Sequence, residues 1–436
     1  LFRSQISARE LKKMNGYYDA LVPFKNQLKC TDTLTAVWIT VQCPSRVPVG
    51  KYHQTIKIEG SKHFTIQLDY NVHHTTIPLK SSIPITVGVE NRCMTECLND
   101  KEADKERQRW VDFVLSYRMT PVFGTQITPE RWQYEHSFSP WAWNDKRSIR
   151  LLNDRRYSCY MLPFFTLSEN ELASLLCNIQ KKGKLKESLF YIWDEPAYME
   201  DYEQIKRKVN IIRKYASDAR ILTTFFCGPR NGPRKGDLYA VFDYLKHHIH
   251  VATISLAPCK GNEEEVQHIR YKVPEGIDWW SYVCWQPGGN EPNFLLQMKG
   301  IQQRAIMWRT WKNGSQGFLY WNCNIYHKRN PFTYITDMPH GDGILIYPGD
   351  ILGCKGPIAS ARLERWRDGA EEMELLRLVE KNYSKEKADT LLNIVYSSPL
   401  SFIEKAHNIP FFRKELLDQL DKTIPIDYKL RITDFI

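Results

Sequence analysis

The chain has 436 residues, a formal net charge of +10 and thirteen tryptophans. That length exceeds one ordinary small domain and fits a large domain with a smaller one beside it. The positive charge is interleaved with acids, as in Asp100-Lys101-Glu102-Ala103-Asp104-Lys105-Glu106-Arg107, so it reads as solvated helix faces; no nucleic-acid motif occurs and no nucleic-acid partner is expected.

The first stretch reads as antiparallel β. Val37, Ile39 and Val41 alternate with Trp38, Thr40 and Gln42, and Phe64, Ile66, Leu68, Tyr70 and Val72 alternate with polar neighbours. One apolar and one polar face fit a small β-sandwich, assigned to residues 1–82. Between the two runs, Pro44 to Gly50 is a turn-rich connection.

After Pro84 the pattern changes to strand-like runs alternating with helical ones. Strands are expected at Ile85–Val89, Pro121–Gly124, Tyr157–Phe165, Leu189–Trp193, Ile221–Phe226, Val251–Leu256, Trp279–Trp285 and Gly317–Cys323. Between them, helices are expected at Lys105–Ser116, from a Ser168–Glu171 capping box through Ile179, at Asp237–Lys246 and at Phe294–Trp311. A last helix over Ala359–Glu380 closes the series. Eight strand–helix units predict an α/β fold, a TIM-like (β/α)8 barrel over residues 83–381. Residues 382–436 read as a C-terminal helical extension.

The eleven cysteines are scattered and include no CxxC pair, so a zinc site is not expected. Cys93 and Cys97 are near enough to form a local disulfide or remain free thiols. Cys159, Cys227, Cys284 and Cys323 fall inside expected strands and read as buried thiols. His247, His248 and His250 read as a helix end rather than a metal site. No stretch is long and apolar enough to span a bilayer, and no signal peptide is visible at Leu1. The sequons at Asn313 and Asn382 lean the expected location toward secreted or vesicular. Oligomeric state is not legible.

In a barrel of this kind the chemistry sits at the C-terminal ends of the strands. The expected fourth strand, Phe190-Tyr191-Ile192-Trp193, stops on Asp194-Glu195-Pro196, where Pro196 ends the ladder. Other strand ends bring Trp285 and Tyr320-Trp321. Asp342 lies in the loop after strand eight, and Trp308 is close to the end of the preceding helix. Two acids ringed by aromatic rings point to a carbohydrate: rings stack on sugar faces and acids move protons. Adjacent acids do not span a sugar as opposed carboxylates do. They suit hydrolysis assisted by the substrate's own 2-acetamido group, with Asp194 holding that group and Glu195 protonating the glycosidic oxygen. Arg362 and Arg367, in Ser360 to Gly369, read as members of an internal ion-pair network.

These residues together resemble the family-123 glycoside hydrolases and the wider group sharing their barrel. The resemblance rests on Asp194-Glu195-Pro196, on Gly317-Phe318-Leu319-Tyr320-Trp321, on the run from Gly341-Asp342-Gly343 to Tyr347-Pro348-Gly349, and on Ser360 to Gly369 with Glu371. Trp38 to Val41 and Pro48 to Tyr52 resemble the preceding β-sandwich, and Arg304 matches a family position without an assigned role. The resemblance implies a β-N-acetylgalactosaminidase working by substrate-assisted retention, with Asp194 and Glu195 catalytic. It implies Trp285, Trp308, Tyr320, Trp321 and Asp342 as substrate-binding candidates. The implied partner is a glycan or glycolipid with a terminal N-acetylhexosamine, and neither metal nor cofactor is needed. Two alternatives remain open: a non-catalytic glycan-binding protein on this scaffold, or a glycosidase for a different sugar.

Overall fold

The computed structural model describes residues 5–422 apart from residues 15, 25–26, 29–34, 45–46, 61, 97, 129–130, 135–145, 327–330 and 332–338. Cys97, one half of the expected local pair, lies outside the described residues, and Cys93 is a buried free thiol. Two small antiparallel sheets precede the barrel, where the β-sandwich is expected. One is three-stranded, with β1 (Gln5–Met14) between β2 (Tyr17–Pro23) and β3 (Ala36–Gln42). The other is a ribbon of β4 (Gly50–Ile58) and β5 (Phe64–Val72) in continuous register.

The barrel strands follow: β6 (Ile85–Glu90), β7 (Thr120–Thr128), β9 (Tyr160–Leu162), β10 (Ser188–Trp193), β11 (Arg220–Phe225), β12 (Val251–Ser255), β13 (Asp278–Val283) and β14 (Phe318–Tyr320), with β8 (Arg131–Tyr134) folded back antiparallel onto β7. All eight expected strands are present, and those paired in ladders run parallel. β14 pairs with β6, which joins the last barrel strand to the first. Between β7 and β9 the Ser158 amide donates to Thr120 Oγ1 at 3.1 Å, so side chains bridge that seam. β9 is shorter than expected, because alternation marks apolar spacing and not where the ladder stops.

Alternation along the strands divides two packed layers. Val122, Cys159, Leu189, Tyr191, Leu222, Val251, Trp280, Tyr282, Cys284 and Leu319 fill the barrel interior. Their strand neighbours, among them Phe190, Ile221, Trp279 and Phe318, face the helices. The helix expected from Phe294 starts only at Gly300 and runs Gly300–Lys312. Asn293 explains the delay. Its Nδ2 donates to the carbonyls of Cys284 and Pro287, and its Oδ1 accepts from the Phe294 amide, which fixes the chain in a loop after β13.

A hairpin of β15 (Ile346–Pro348) and β16 (Pro357–Ala359) leads into the helix Ala361–Asn382, capped by the Ser360 hydroxyl. Arg362 and Arg367 do form internal ion pairs, as expected. Arg367 pairs with Glu364 one turn away, while Arg362 reaches to Asp19 in β2 at 2.9 Å. Arg362 also donates to the carbonyls of Phe294, Gly341 and Ile344, and Tyr347 donates to Asp19 at 2.6 Å. A second, partly buried pair, Arg9 with Glu364 at 2.8 Å, ties β1 to the same helix. Both charges of the Asp19–Arg362 pair are almost wholly buried. Removing one leaves the other desolvated and alone. Asp19→Ala is therefore expected to cost about 3–5 kcal/mol of stability, read from the shift in urea unfolding against wild type; a loss of under about 1 kcal/mol would show that the network is not holding the two parts together.

Candidate active site

Neighbouring residues on a regular strand face opposite sides, so Asp194 and Glu195 could not both face the interior if β10 simply continued. Two local features overcome this. The pairing of β10 with β11 slips between Tyr191 and Trp193, the mark of a bulge. Tyr191 points inward, Ile192 and Trp193 pack on the helix side, and Asp194 turns inward again. Glu195 then adopts a left-handed conformation, φ 45°, which is costly for a residue with a Cβ and is held by its surroundings. Its amide donates to Thr224 Oγ1 at 3.0 Å.

The result is a connected polar group at the mouth. The Tyr191 hydroxyl donates to Asp194 Oδ1 at 2.5 Å, and Thr224 Oγ1 donates to the same oxygen at 2.8 Å. Both donors converge on Oδ1, and among the described residues no hydrogen bond to Oδ2 is formed. The Tyr282 hydroxyl, from the inner face of β13, donates to Glu195 Oε1. Burial raises the Asp194 pKa, against the pull of Tyr191 and Thr224. Burial and then the neighbouring Asp194 raise Glu195 to about 7, opposed by Tyr282 and Arg230. Of the two acids, Glu195 is thus poised to exchange a proton near neutrality.

The aromatic candidates separate. Trp285 is 41% exposed at the rim and stacks on Phe226, ring centroids 6.2 Å apart at 18°. Trp321 is part-exposed and donates its indole N–H to Asp342 at 2.9 Å. Three expected substrate contacts are fully buried. Trp308 is fully buried in the helix layer against Tyr396 and Phe412, with its N–H on Glu372. It sits mid-helix, so nearness in sequence to a strand end does not bring it to the mouth. Tyr320 points outward from β14 and is wholly buried against Phe294. Asp342 is also wholly buried, and accepts from Tyr320 as well as Trp321. Burial pushes Asp342 up to about 6. Tyr320 and Asp342 brace the Trp321 indole. Gly88 in β6 lets the two strands' backbones approach closely there: a Cβ on it would lie 1.9 Å from the Trp321 carbonyl oxygen. Arg304, which has no role in the sequence reading, pairs with Glu372 and with Asp368 at 3.3 Å between two helices.

Tyr191, Thr224, Tyr282 and Phe226 contact the candidate residues Asp194, Glu195 and Trp285 and were missed by sequence reasoning. Tyr191 and Tyr282 had a signal, since alternation places both on inner faces of strands leading to the mouth.

A family model described as "Glycoside hydrolase 123, catalytic domain" matches residues 105–379. The chain belongs to glycoside hydrolase family 123. It is similar in fold to a family 123 glycoside hydrolase from Clostridium perfringens, whose structure concerns glycolipid glycan hydrolysis, with a TM-score of 0.65 at 13% identity over 96% of this chain and 85% of that one. A monomeric beta-xylosidase from Caulobacter crescentus CB15 aligns at a TM-score of 0.41 and 9% identity, over 67% of this chain and 68% of that one. No curated protein matches the sequence. Among the described residues of this family 123 glycosidase, no helix is long and apolar enough to cross a membrane.

The raised pKa of Glu195 has a consequence for stability. A carboxyl raised in the fold to about 7 binds its proton more tightly there than in the unfolded chain, so stability falls as pH rises through that range. Glu195→Gln removes the ionisation. Its melting temperature relative to wild type is expected to be more favourable at about pH 8 than at about pH 5; a difference that does not change with pH would contradict the raised value.

Proposed function

We propose that this family 123 enzyme removes terminal β-linked N-acetylgalactosamine by substrate-assisted retention. The observation that carries the reading is that two adjacent carboxylates face the same side of the barrel mouth in different environments. Asp194 is held by two hydroxyls on one oxygen, with no hydrogen bond to the other among the described residues. Glu195 titrates near neutrality. In the first step the acetamido carbonyl oxygen attacks C1 as the glycosidic C1–O bond breaks. Glu195 gives its proton to the departing oxygen, and Asp194 Oδ2 accepts the acetamido N–H, steadying the positive charge that develops there. In the second step Glu195, now ionised, takes a proton from water as the water oxygen bonds to C1 and the acetamido oxygen leaves. Two inversions at C1 give overall retention.

Trp321 and Trp285 are the parts of the proposed sugar wall with exposed ring surface. Glycolipid glycan hydrolysis by the Clostridium perfringens relative supports a glycolipid or related glycan as the substrate class. The 2-acetamido requirement follows from the mechanism proposed; the galacto configuration follows from the family resemblance.

The test compares aryl and oligosaccharide N-acetylgalactosaminides, with the matching glucosaminides beside them. Glu195→Gln is expected to lower kcat about 10²–10⁴-fold on the oligosaccharide and less on an aryl glycoside, whose leaving group needs little protonation. Asp194→Asn is expected to lower turnover of both. For wild type, kcat/KM should fall as pH rises through about 7, because the acid must be protonated in the free enzyme. Unchanged oligosaccharide turnover in Glu195→Gln would overturn the assignment. Sugar binding without any hydrolysis by wild type would favour a glycan-binding protein instead.

A further inference from the structure

The loop that follows β11 is drawn over the loop that follows β10. The Arg230 amide donates to the Ala197 carbonyl at 2.6 Å. The Met199 amide donates to Asn231 Oδ1 at 2.8 Å, and Asn231 Nδ2 donates back to Glu200 at 3.1 Å. The Gly236 amide closes the loop on the Pro229 carbonyl at 2.7 Å. These bonds fix the loop beside the catalytic pair rather than leaving it free in solvent.

The loop carries three cations, Arg230, Arg234 and Lys235. Arg234 is neutralised by Asp237 and Asp243. Among the described residues, Arg230 and Lys235 form no ion pair. Arg230 is exposed, with its guanidinium against Tyr198 and Cys227. It is close enough for its charge to act on Glu195. Tyr198 is exposed next to it, and Phe226 in the same loop stacks on the exposed Trp285. A guanidinium on an anchored backbone, a phenol and an aromatic shelf therefore share one side of the rim.

We propose that this rim is a subsite for an oxyanion, a carboxylate or a sulfate ester, carried on the sugar next to the scissile bond. The guanidinium fork matches both anions with paired hydrogen bonds, and the Trp285–Phe226 shelf supplies a face for the sugar that bears them. Lys235 adds charge from the same loop. The arrangement selects for anionic glycans over neutral ones with the same terminal residue. This inference rests on the glycosidase reading above.

Three oligosaccharides test it: one neutral, one with a carboxylate and one with a sulfate on the penultimate sugar, each ending in β-linked N-acetylgalactosamine. Wild type is expected to favour at least one anionic substrate by about five-fold in kcat/KM at low salt, an advantage that shrinks as ionic strength rises. The anion that gains identifies the source. Arg230→Gln should bring the anionic-to-neutral ratio close to one and remove its salt dependence, and Arg230→Lys should keep part of the advantage. A ratio unaltered by Arg230→Gln overturns the subsite while leaving the glycosidase reading intact. If wild type cleaves none of the three, the glycosidase reading fails, and titration calorimetry on the same glycans decides the subsite: preferential binding of an anionic glycan, lost in Arg230→Gln, supports it, and equal binding sinks it.

Discussion

Two carboxylates adjacent in sequence have to face the same side of a barrel wall, and a regular strand forbids it. The bulge near Ile192 and the left-handed backbone at Glu195 are the means by which this chain breaks the two-residue period at Asp194 and Glu195. Bulges and strained residues persist where the surroundings over-determine them. Here Thr224 performs that task twice, by accepting from the Glu195 amide and by donating to Asp194. Strand five thus holds the end of strand four in place, and Tyr282 from strand seven holds the Glu195 carboxylate from across the interior.

The rest of the structure serves this mouth at increasing distance. Trp321 is oriented by Asp342, and Asp342 sits in a loop whose carbonyls, at Gly341 and Ile344, are gripped by Arg362. Arg362 in turn is neutralised by Asp19 of the N-terminal sheet. A chain of buried polar contacts therefore runs from the small antiparallel sheet to the aromatic rim. Removing one member of a buried pair such as Asp19–Arg362 strands the other, which makes the N-terminal sheet an integral support of the barrel's last loop.

Much of this is legible in the amino-acid sequence. The alternation of apolar runs locates all eight barrel strands, and the abrupt stop at Asp194-Glu195-Pro196 locates the acids. The Ser168–Glu171 capping box opens its helix in the structure as expected. What sequence does not convey is depth. Trp308, Tyr320 and Trp321 are all aromatic residues expected near the mouth from their place in the sequence, yet only Trp321 keeps exposed surface, because side-chain direction depends on strand parity and helix packing. The same limit hides the partners. Arg362 pairs with Asp19, hundreds of residues away along the chain, rather than with the acids beside it, and Thr224 meets Asp194 only because β11 lies next to β10. Long-range pairing of polar groups has no periodic signature, whereas burial of apolar faces does.

The central claim is that the substrate's own acetamido group is the nucleophile, steered by Asp194. The most direct measurement is the rate of hydrolysis of a series of aryl N-acetylgalactosaminides in which the acetamido methyl carries zero to three fluorine atoms. Fluorination withdraws electrons from the carbonyl oxygen without altering the leaving group. The account predicts that kcat/KM falls steeply and progressively along the series. A rate that is insensitive to fluorination would contradict it and assign the nucleophilic role to the protein or to water.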